Sequence, residues 1–435
     1  MAYLVERVWE GMPGSGLPRR LRHACRYGAY VPDPLATVDL ALPGNIMADV
    51  SDAERAIQRL NSQAPVLASL EAVARFLLRA EAVASSRIEG LTLNARRLVA
   101  AEAAQALGVP IHDATAEAVL GNIRALHLAV DEVASRAMVR VDDILQIHRA
   151  LMVHTDRPEH GGGVRTEQNW IGGNDYNPCG AEFVPPPPER VPDLLEDLVA
   201  FLNTDRYPAL VQAALAHAQF ETIHPFPDGN GRTGRALIHV VLRRRDLAPS
   251  FVPPISLILA TRAREYVRGL QASRYVGEPT MPAAQRDMAA YVEMFAGAAG
   301  RAASDSERYG GRLDALVQEW RRLVAPVRAD SAVDRLLRVL PSAPVITVST
   351  AAQLINRTDE AARLAVERLV AAGILQPLRQ TRRYRAFEAV GVLQVVTDFE
   401  RALTSPTGET RTAAPARDAP ARIAHRWTTA KDGGE

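Results

Sequence analysis

A mainly α fold with little regular sheet is what this sequence predicts, and three observations carry that expectation. From Ser51 onward apolar residues recur at helical spacing, as Leu70, Val73, Ala74 and Leu77 do at i, i+3, i+4 and i+7. The extended pieces between these periodic segments are short and bounded by Gly and Pro, too brief for a real sheet. Near the C-terminus the pattern reads helix, tight turn, helix, then two short extended pieces.

Taken in order, the first ~45 residues, with "YGAYVPDPLATVDLALPG", read as irregular. The helix around "SLEAVARFLLRAEAVASSRIEGLTL" is stopped by Gly90. Further helices are expected over 114–133, 142–152, 191–203 and 208–222, and another begins near Gly231 and runs through "ALIHVVLRRRDL". Between them "GGGVRTEQNWIGG" and "AEFVPPPP" are extended, and residues 181–190 form a hairpin or a polyproline segment, since four prolines exclude a central strand. A composition shift follows Gly310. In "VITVSTAAQLINRTDEAARLAVERLVAAGILQPLRQTRRYRAF", Ala352, Leu354 and Ile355 are expected to face inward from one helix, and Leu364, Ala365 and Leu369 from the next. Gly373 would cap the second helix and "RQTRRYRAF" would form a wing, which makes a winged helix-turn-helix. From Thr404 the chain is rich in Pro, Thr and Arg with few large apolar residues, the composition of a disordered tail. The expected division is an N-terminal region over 1–100, a helical core over 101–305, the winged helix over 306–400 and the tail over 401–435.

Composition narrows the class. With 435 residues, 47% hydrophobic and 23% charged, the chain has the make-up of ordinary globular protein. A formal net charge of +1 carries no global message about nucleic acid or membrane, so any basic surface is local. Cys25 and Cys179 lie far apart without metal spacing and are expected to be reduced, which fits a cytoplasmic protein. "MAYLVERVWEGMPG" lacks the basic-then-apolar order of a signal peptide. No run approaches the roughly 18 apolar residues of a membrane span.

The stretch "HPFPDGNGRTGR", residues 224–235, carries the chemistry. Gly229, Gly231 and Gly234 match G-x-G-x-x-G, but a dinucleotide site needs a preceding strand. Here "PALVQAALAHAQFETI" precedes it, alanine-rich and helical in spacing, so that reading fails; no phosphate-binding G-x-x-x-x-G-K-[ST] occurs either. The loop instead joins two helices, and the free N–H groups opening the second make an anion site. Arg232 and Arg235 share the first turn of that helix, where two cations oppose the macrodipole unless an anion sits beside them. A polyphosphate removes the conflict. Asp228 is suited to Mg²⁺ that also takes phosphate oxygens. His224 is suited to taking a proton from a hydroxyl nucleophile, and Phe226 to anchoring the loop.

Every fixed position of this stretch resembles the Fic motif, His-x-Phe-x-(Asp/Glu)-Gly-Asn-Gly-Arg-x-x-Arg, and "RTEQNWIGG", "AEFVPPPPERVPDLLEDLVAFLN" and "LAHAQFETIHPF" resemble the segments ahead of it in Fic proteins. The resemblance covers roughly residues 60–300. It implies a Fic-type helical core with a small β-hairpin flap, plus the C-terminal winged helix, that moves AMP from ATP onto a Ser, Thr or Tyr hydroxyl of a target protein. It further implies His224 as general base, Asp228 as the Mg²⁺ residue, Gly229, Asn230 and Gly231 on phosphate oxygens, Arg232 and Arg235 at the β/γ end, and a target docked on the flap over 181–190.

"SSRIEG", residues 85–90, sets Glu89 at a helix C-terminus, where a carboxylate opposes the dipole. It resembles the family's inhibitory motif, with Ser85 and Glu89 in the fixed positions. That resemblance implies self-inhibition by a Glu89–Arg235 pair. His217, seven residues before His224, reads as a hydrogen-bonded core histidine rather than half of a metal pair, and His148, His154 and His239 as structural. "RRR" at 243–245 reads as a solvated helix end. Arg379, Arg382, Arg383 and Arg385 of the wing suit phosphate or protein contact, while "DEAARLAVERL" balances Glu360 and Glu367 against Arg363 and Arg368. The rival reading is a DNA-binding regulator whose core only senses nucleotide; transfer of another nucleotide and removal of AMP also remain open, as does a homo-oligomer.

Overall fold

The computed structural model describes residues 1–11, 18–62, 70–106, 108–378, 386–392, 394–395 and 397–398. Strands β1 (Tyr3–Trp9) and β2 (Cys25–Val31) flank the short helix α1 (Arg19–Arg22). The main helical body follows: α2 (Gly44–Ser62), α3 (Leu70–Ile88), α4 (Ala95–Ala106), α5 (Ala114–His127), α6 (Val141–Met152), α7 (Val191–Leu202), α8 (Ala209–Ile223), α9 (Asn230–Arg244), α10 (Ile255–Thr261), α11 (Ala263–Ala272) and α12 (Pro282–Leu323). A smaller unit holds α13 (Ala332–Val339), β3 (Val345–Ile346), α14 (Val348–Ile355), α15 (Asp359–Ala371), β4 (Leu375–Leu378) and β5 (Ala386–Ala389).

The centre of the body is α8. All of its residues are buried, which is why its alanine-rich sequence shows no polar face. Against it lies α9, and Gly234 sets how closely the two approach: a Cβ there would stand 2.8 Å from both Phe220 Cδ1 and Glu221 Oε1. The loop between these two helices is the 224–229 stretch, so the most deeply packed pair in the molecule holds it from both ends.

Three expectations about the N-terminal region and the boundaries change. Residues 3–9 and 25–31 are not irregular but form an antiparallel pair, from Tyr3 opposite Val31 to Trp9 opposite Cys25. The β-branched and aromatic content of "YLVERVW" suits a strand, but the segment does not alternate and the neighbouring prolines and glycines obscure it. The cysteines are not free: Cys25 and Cys179, 154 residues apart, are joined as a disulfide. That removes the ground for expecting a reducing compartment. The boundaries expected at 100/101 and 305/306 fall inside α4 and α12. The large core instead runs to Leu313 and the second begins at Val317, both on the single long helix α12.

In the C-terminal unit the sheet order β3-β5-β4 around α13, α14 and α15 agrees with a winged helix-turn-helix. Thr347 and Thr358 cap the two helices of the motif, and Gly373, at φ +71°, ends the second. Ala352 and Ile355 are buried as expected, but Leu364 is 54% exposed. The inward face of α15 is Ala362, Ala365, Val366 and Leu369, an i, i+3, i+4, i+7 set that keeps the expected Ala365 and Leu369 and leaves out Leu364. Arg379, Arg382, Arg383 and Arg385, and the tail over 401–435, lie outside the described residues. Among the described residues no helix is long and apolar enough to cross a membrane.

Candidate active site

His224 closes α8 in a left-handed conformation, φ +48°, ψ +60°. A non-glycine residue there is strained and needs surrounding structure to hold it. Two side chains supply this by gripping its carbonyl: Arg165 Nε donates to His224 O at 2.8 Å and Asn169 Nδ2 at 3.2 Å. The same Arg165 donates from Nη2 to Pro186 O, tying the catalytic loop to the proline-rich segment. Burial pushes the His224 imidazole down to about 4, with Glu89 opposing the shift. The helix C-terminus alone favours the charged ring; desolvation wins, and the ring is a neutral base at pH 7.

The loop is locked from three sides. Phe226 is fully buried, and His148 stacks on it at 3.7 Å with the planes 3° apart. Gly162 N–H donates to His148 Nδ1 at 2.9 Å, which leaves Nε2 to donate to Asp228 O at 2.9 Å. Asn230 differs from its expected role. Its Oδ1 accepts from Phe226 N and its Nδ2 donates to Phe226 O, both at 2.8 Å. The side chain is a clamp on the loop, and its backbone N–H opens α9 among the first N–H groups that have no partner within the helix. The residue type was right for the place, but the polar atoms are consumed locally.

Gly229 caps α9 with φ +75°, a conformation that favours glycine. The two arginines of the first turn are both buried and differ in their partners. Arg235 Nη2 donates to Glu89 Oε1 at 2.7 Å and to Ser85 O at 3.0 Å, and its Nε donates to Ser85 Oγ at 2.9 Å. Burial works against its charge, but Glu89, Tyr266 and Glu221 together outweigh that and hold its pKa above the ordinary value. Arg232 has no such match. Its Nε and Nη1 are buried without a hydrogen-bond partner, and Nη2 stands 3.8 Å from Asp228 Oδ2. Buried cationic donors without an acceptor are costly, so this guanidinium is built for an anion. Asp228 itself is half-exposed, with Oδ1 accepting from Gly229 N–H at 2.6 Å.

Glu89 lies on the anion site itself. A Cβ at Gly231 would come 2.0 Å from Glu89 Oε1, so the carboxylate occupies the mouth of α9. Glu81, Ser85 and Glu89 recur every fourth residue along α3. They meet α9 in step, Glu81 at His239 (3.1 Å) and Ser85 and Glu89 at Arg235. Helical periodicity puts all three on one face.

The remaining candidates fall outside this cluster. His217 Nε2 lies 2.7 Å from Tyr266 Oη, and the two rings stack. His154 is exposed, 3.9 Å from Glu117. The arginines at 243–245 are not a solvated end: Arg243 donates to Ala248 O, Arg244 to Arg136 O and Asn203 Oδ1, and Arg245 to Tyr207 O and Gln212 Oε1. They tie the end of α9 to neighbouring loops and to α8. Over 181–190 there is a single bridge, Ile171 to Phe183, rather than a ladder; on the other side Tyr30 N–H of β2 donates to Val184 O at 2.9 Å. Arg165, Asn169, His148 and Glu221 were not singled out as site residues in the sequence. Their partners are backbone atoms or neighbours tens of residues away, which no spacing rule reports. Only Glu221, three residues before His224, carried a local signal.

Comparison with known proteins bears on the same stretch. A model described as Fic/DOC family matches residues 139–242, and one described as Fic/DOC family N-terminal matches 47–131. The protein adenylyltransferase fic-1 of Caenorhabditis elegans is 36% identical over 131 residues, 29% of this chain and 23% of that protein. The protein adenylyltransferase Fic of Drosophila melanogaster is 33% identical over 138 residues, 31% of this chain and 26% of that one. The chain thus spans about a quarter of the length of the curated relatives it matches. Among solved structures, a Fic family protein from Desulfovibrio desulfuricans G20 superposes over 81% of this chain and 97% of its own, at 22% identity and a TM-score of 0.48. The C. elegans Fic-1 structure covers 62% of this chain and 75% of its own, at 25% identity and a TM-score of 0.45. Over the segments 47–131 and 139–242, the chain is similar to the Fic/DOC family.

Proposed function

We propose that this chain is a protein adenylyltransferase that moves AMP from ATP to a hydroxyl of a target protein and is held back by Glu89. One observation carries the reading: Arg232, Arg235 and the N-terminus of α9 converge beside a neutral His224, with a carboxylate from α3 standing where a phosphate belongs. The matched relatives are named protein adenylyltransferases, which favours AMP over other groups.

In the proposed step the target oxygen attacks the α-phosphorus of ATP while His224 Nε2 takes its proton. The new O–P bond forms as the bond to the β-phosphate oxygen breaks, and pyrophosphate leaves with that electron pair. Arg232 meets the developing charge with its two free buried donors, the N–H groups of Asn230 and Gly231 meet phosphate oxygens while that of Gly229 is held by Asp228 Oδ1, and Arg235 meets them once Glu89 withdraws. Such transfer depends chiefly on positioning and charge neutralisation. For Mg²⁺ the donor set fits in one way only: a single half-exposed carboxylate, Asp228, suits an ion whose shell phosphate oxygens complete. When bound there, the ion would neutralise phosphate charge. Among the described residues no group of three or more His, Cys, Asp or Glu is arranged for a metal without them.

The target would dock near 181–190. Phe183 and Val184 already have Ile171 and Tyr30 on their two sides, so strand addition there requires β2 to yield or contact beyond Val184. The DNA-binding rival draws little from α15, where Arg363 is taken by Glu360 and Glu367. A partner at the winged helix, DNA or protein, would rest on the wing arginines.

Incubation with α-labelled and γ-labelled ATP in Mg²⁺ tests the reading on wild type, Glu89→Gly and His224→Ala. Protein labelling from the α-position only, raised by Glu89→Gly and lost with His224→Ala, is expected. Labelling from the γ-position, or ATP binding without any transfer, contradicts it.

A further inference from the structure

Behind His224 lies a carboxylate that the mechanism above leaves unused. Glu221 sits one turn back on α8, buried, with Oε2 3.9 Å from His224 Nδ1. Its Oε1 has no hydrogen-bond partner, and neither has His224 Nδ1, although both atoms are buried. A buried carboxylate and a buried ring nitrogen, brought near each other through Oε2 and each left with an orphaned polar atom, need an explanation. The space for the carboxylate is provided by α9: with any side chain at position 234, a Cβ would stand 2.8 Å from Oε1. Gly234 therefore keeps room for a group that contributes no packing a leucine would not.

We propose that Glu221 is the positioning residue of His224: its carboxylate holds the ring proton on Nδ1, leaving Nε2 free for the target hydroxyl, and balances the charge the ring gains when Nε2 takes that proton. The catalytic half of this inference rests on the adenylyltransferase reading; the pairing does not. The logic is that of any base oriented by a third group behind it. No proton passes to Glu221 in the step. The carboxylate must be ionised to act, and its surroundings set when it is. Burial pushes it up to about 7, with Arg235 from α9 opposing, Glu89 from α3 adding to the rise and Arg274 beyond α11 opposing. His217 on the same helix, Tyr266 on α11 and Tyr291 on α12 close the surroundings, and Arg165 faces the imidazole. The working group near neutrality is then the carboxylate, not the imidazole, whose own titration burial has moved to about 4.

Two measurements on the Glu89→Gly protein, with and without Glu221→Gln, decide it. In nucleotide-free protein, the ¹⁵N shift of His224 Nδ1 is followed from pH 5.5 to 8.5. It should move with a transition below 7, because Glu89→Gly removes one of the charges that raise Glu221, and stay flat with Gln. In the transfer assay, kcat should climb through the same transition. Glu221→Gln should remove that limb and lower the plateau roughly 10-fold, with KM for ATP unchanged. An Nδ1 shift insensitive to pH with Glu221 in place, or a kcat limb that persists in Glu221→Gln, overturns the proposal. A moving Nδ1 shift with no AMP transfer by any variant ends the adenylyltransferase reading and the catalytic role together, while keeping the two failures distinguishable.

Discussion

Arginines on two helices of this molecule make opposite use of the same group. On α15, Arg363 is 44% exposed and is held by Glu360 and Glu367 of its own helix. On α9, Arg235 is 2% exposed and its carboxylate partner comes from residue 89, on another helix. The first pair is local and screened by water, the kind that contributes little. The second crosses the fold in a desolvated setting, where removing one partner leaves the other uncompensated. An ion pair between helices at low exposure is a competitor for ligands; one within a single exposed helix is only a surface.

The comparison can be broken in several places. The largest effect expected is at the base: His224→Ala should lower transfer by about 10²–10⁴, and a smaller loss would mean the proton leaves by another route. Next, Glu89→Gly should raise self-labelling about 10-fold or more while lowering the stability of the nucleotide-free protein. The loss should be about 1–3 kcal/mol, below the fully buried case because Glu89 is 37% exposed. Mg²⁺-ATP should then raise Tm more in this variant than in wild type. Asn230→Ala should cost about 1–3 kcal/mol and weaken transfer, since it strips the two bonds to Phe226. Last, Arg363→Ala should leave both transfer and Tm unchanged. A fall in either would erase the contrast between the helices.

Acid sensitivity sharpens the same point. Burial lowers His148 to about 4, His217 to about 3 and His224 to about 4. Each contributes stability that is fully present above the ordinary 6.5 and is lost as pH falls towards the folded value. Glu221, raised to about 7, has the opposite sign: its contribution is full below the ordinary 4.5 and is lost as pH rises through 7. Glu102 and Asp197, also raised by burial, share the sign of Glu221; the three histidines span the whole interval and are expected to prevail, so thermal melts should show Tm falling as pH drops from 6.5 to 4.5. A Tm that rises over this interval would mean the histidines are solvated.

Much of this was legible in the sequence, for physical reasons that also explain the gaps. The helices from 70 to 244, apart from α4, followed from apolar spacing, and the residues of the 224–235 stretch lie together because a short loop between packed helices cannot separate them. Ser85 and Glu89 pointed to Arg235 only through resemblance; nothing in their spacing locates a partner 146 residues on. The N-terminal hairpin escaped because β1 and β2 pair with each other and leave many side chains exposed, so no apolar face marks them. The disulfide depends on the start of β2 meeting the turn at Cys179, 154 residues on. Leu364 shows the limit of periodicity, where a shift of one residue exchanges an inward for an outward face.

The claim at the centre is that Glu89 and a phosphate compete for one place at the mouth of α9. A crystal structure of the Glu89→Gly protein with Mg²⁺-ATP tests it most directly. Phosphate oxygens within hydrogen-bond distance of Gly231 N–H, Arg232 and Arg235, with the α-phosphorus open to a nucleophile beside His224 Nε2, are expected. A nucleotide bound elsewhere, with that mouth filled by water, contradicts it.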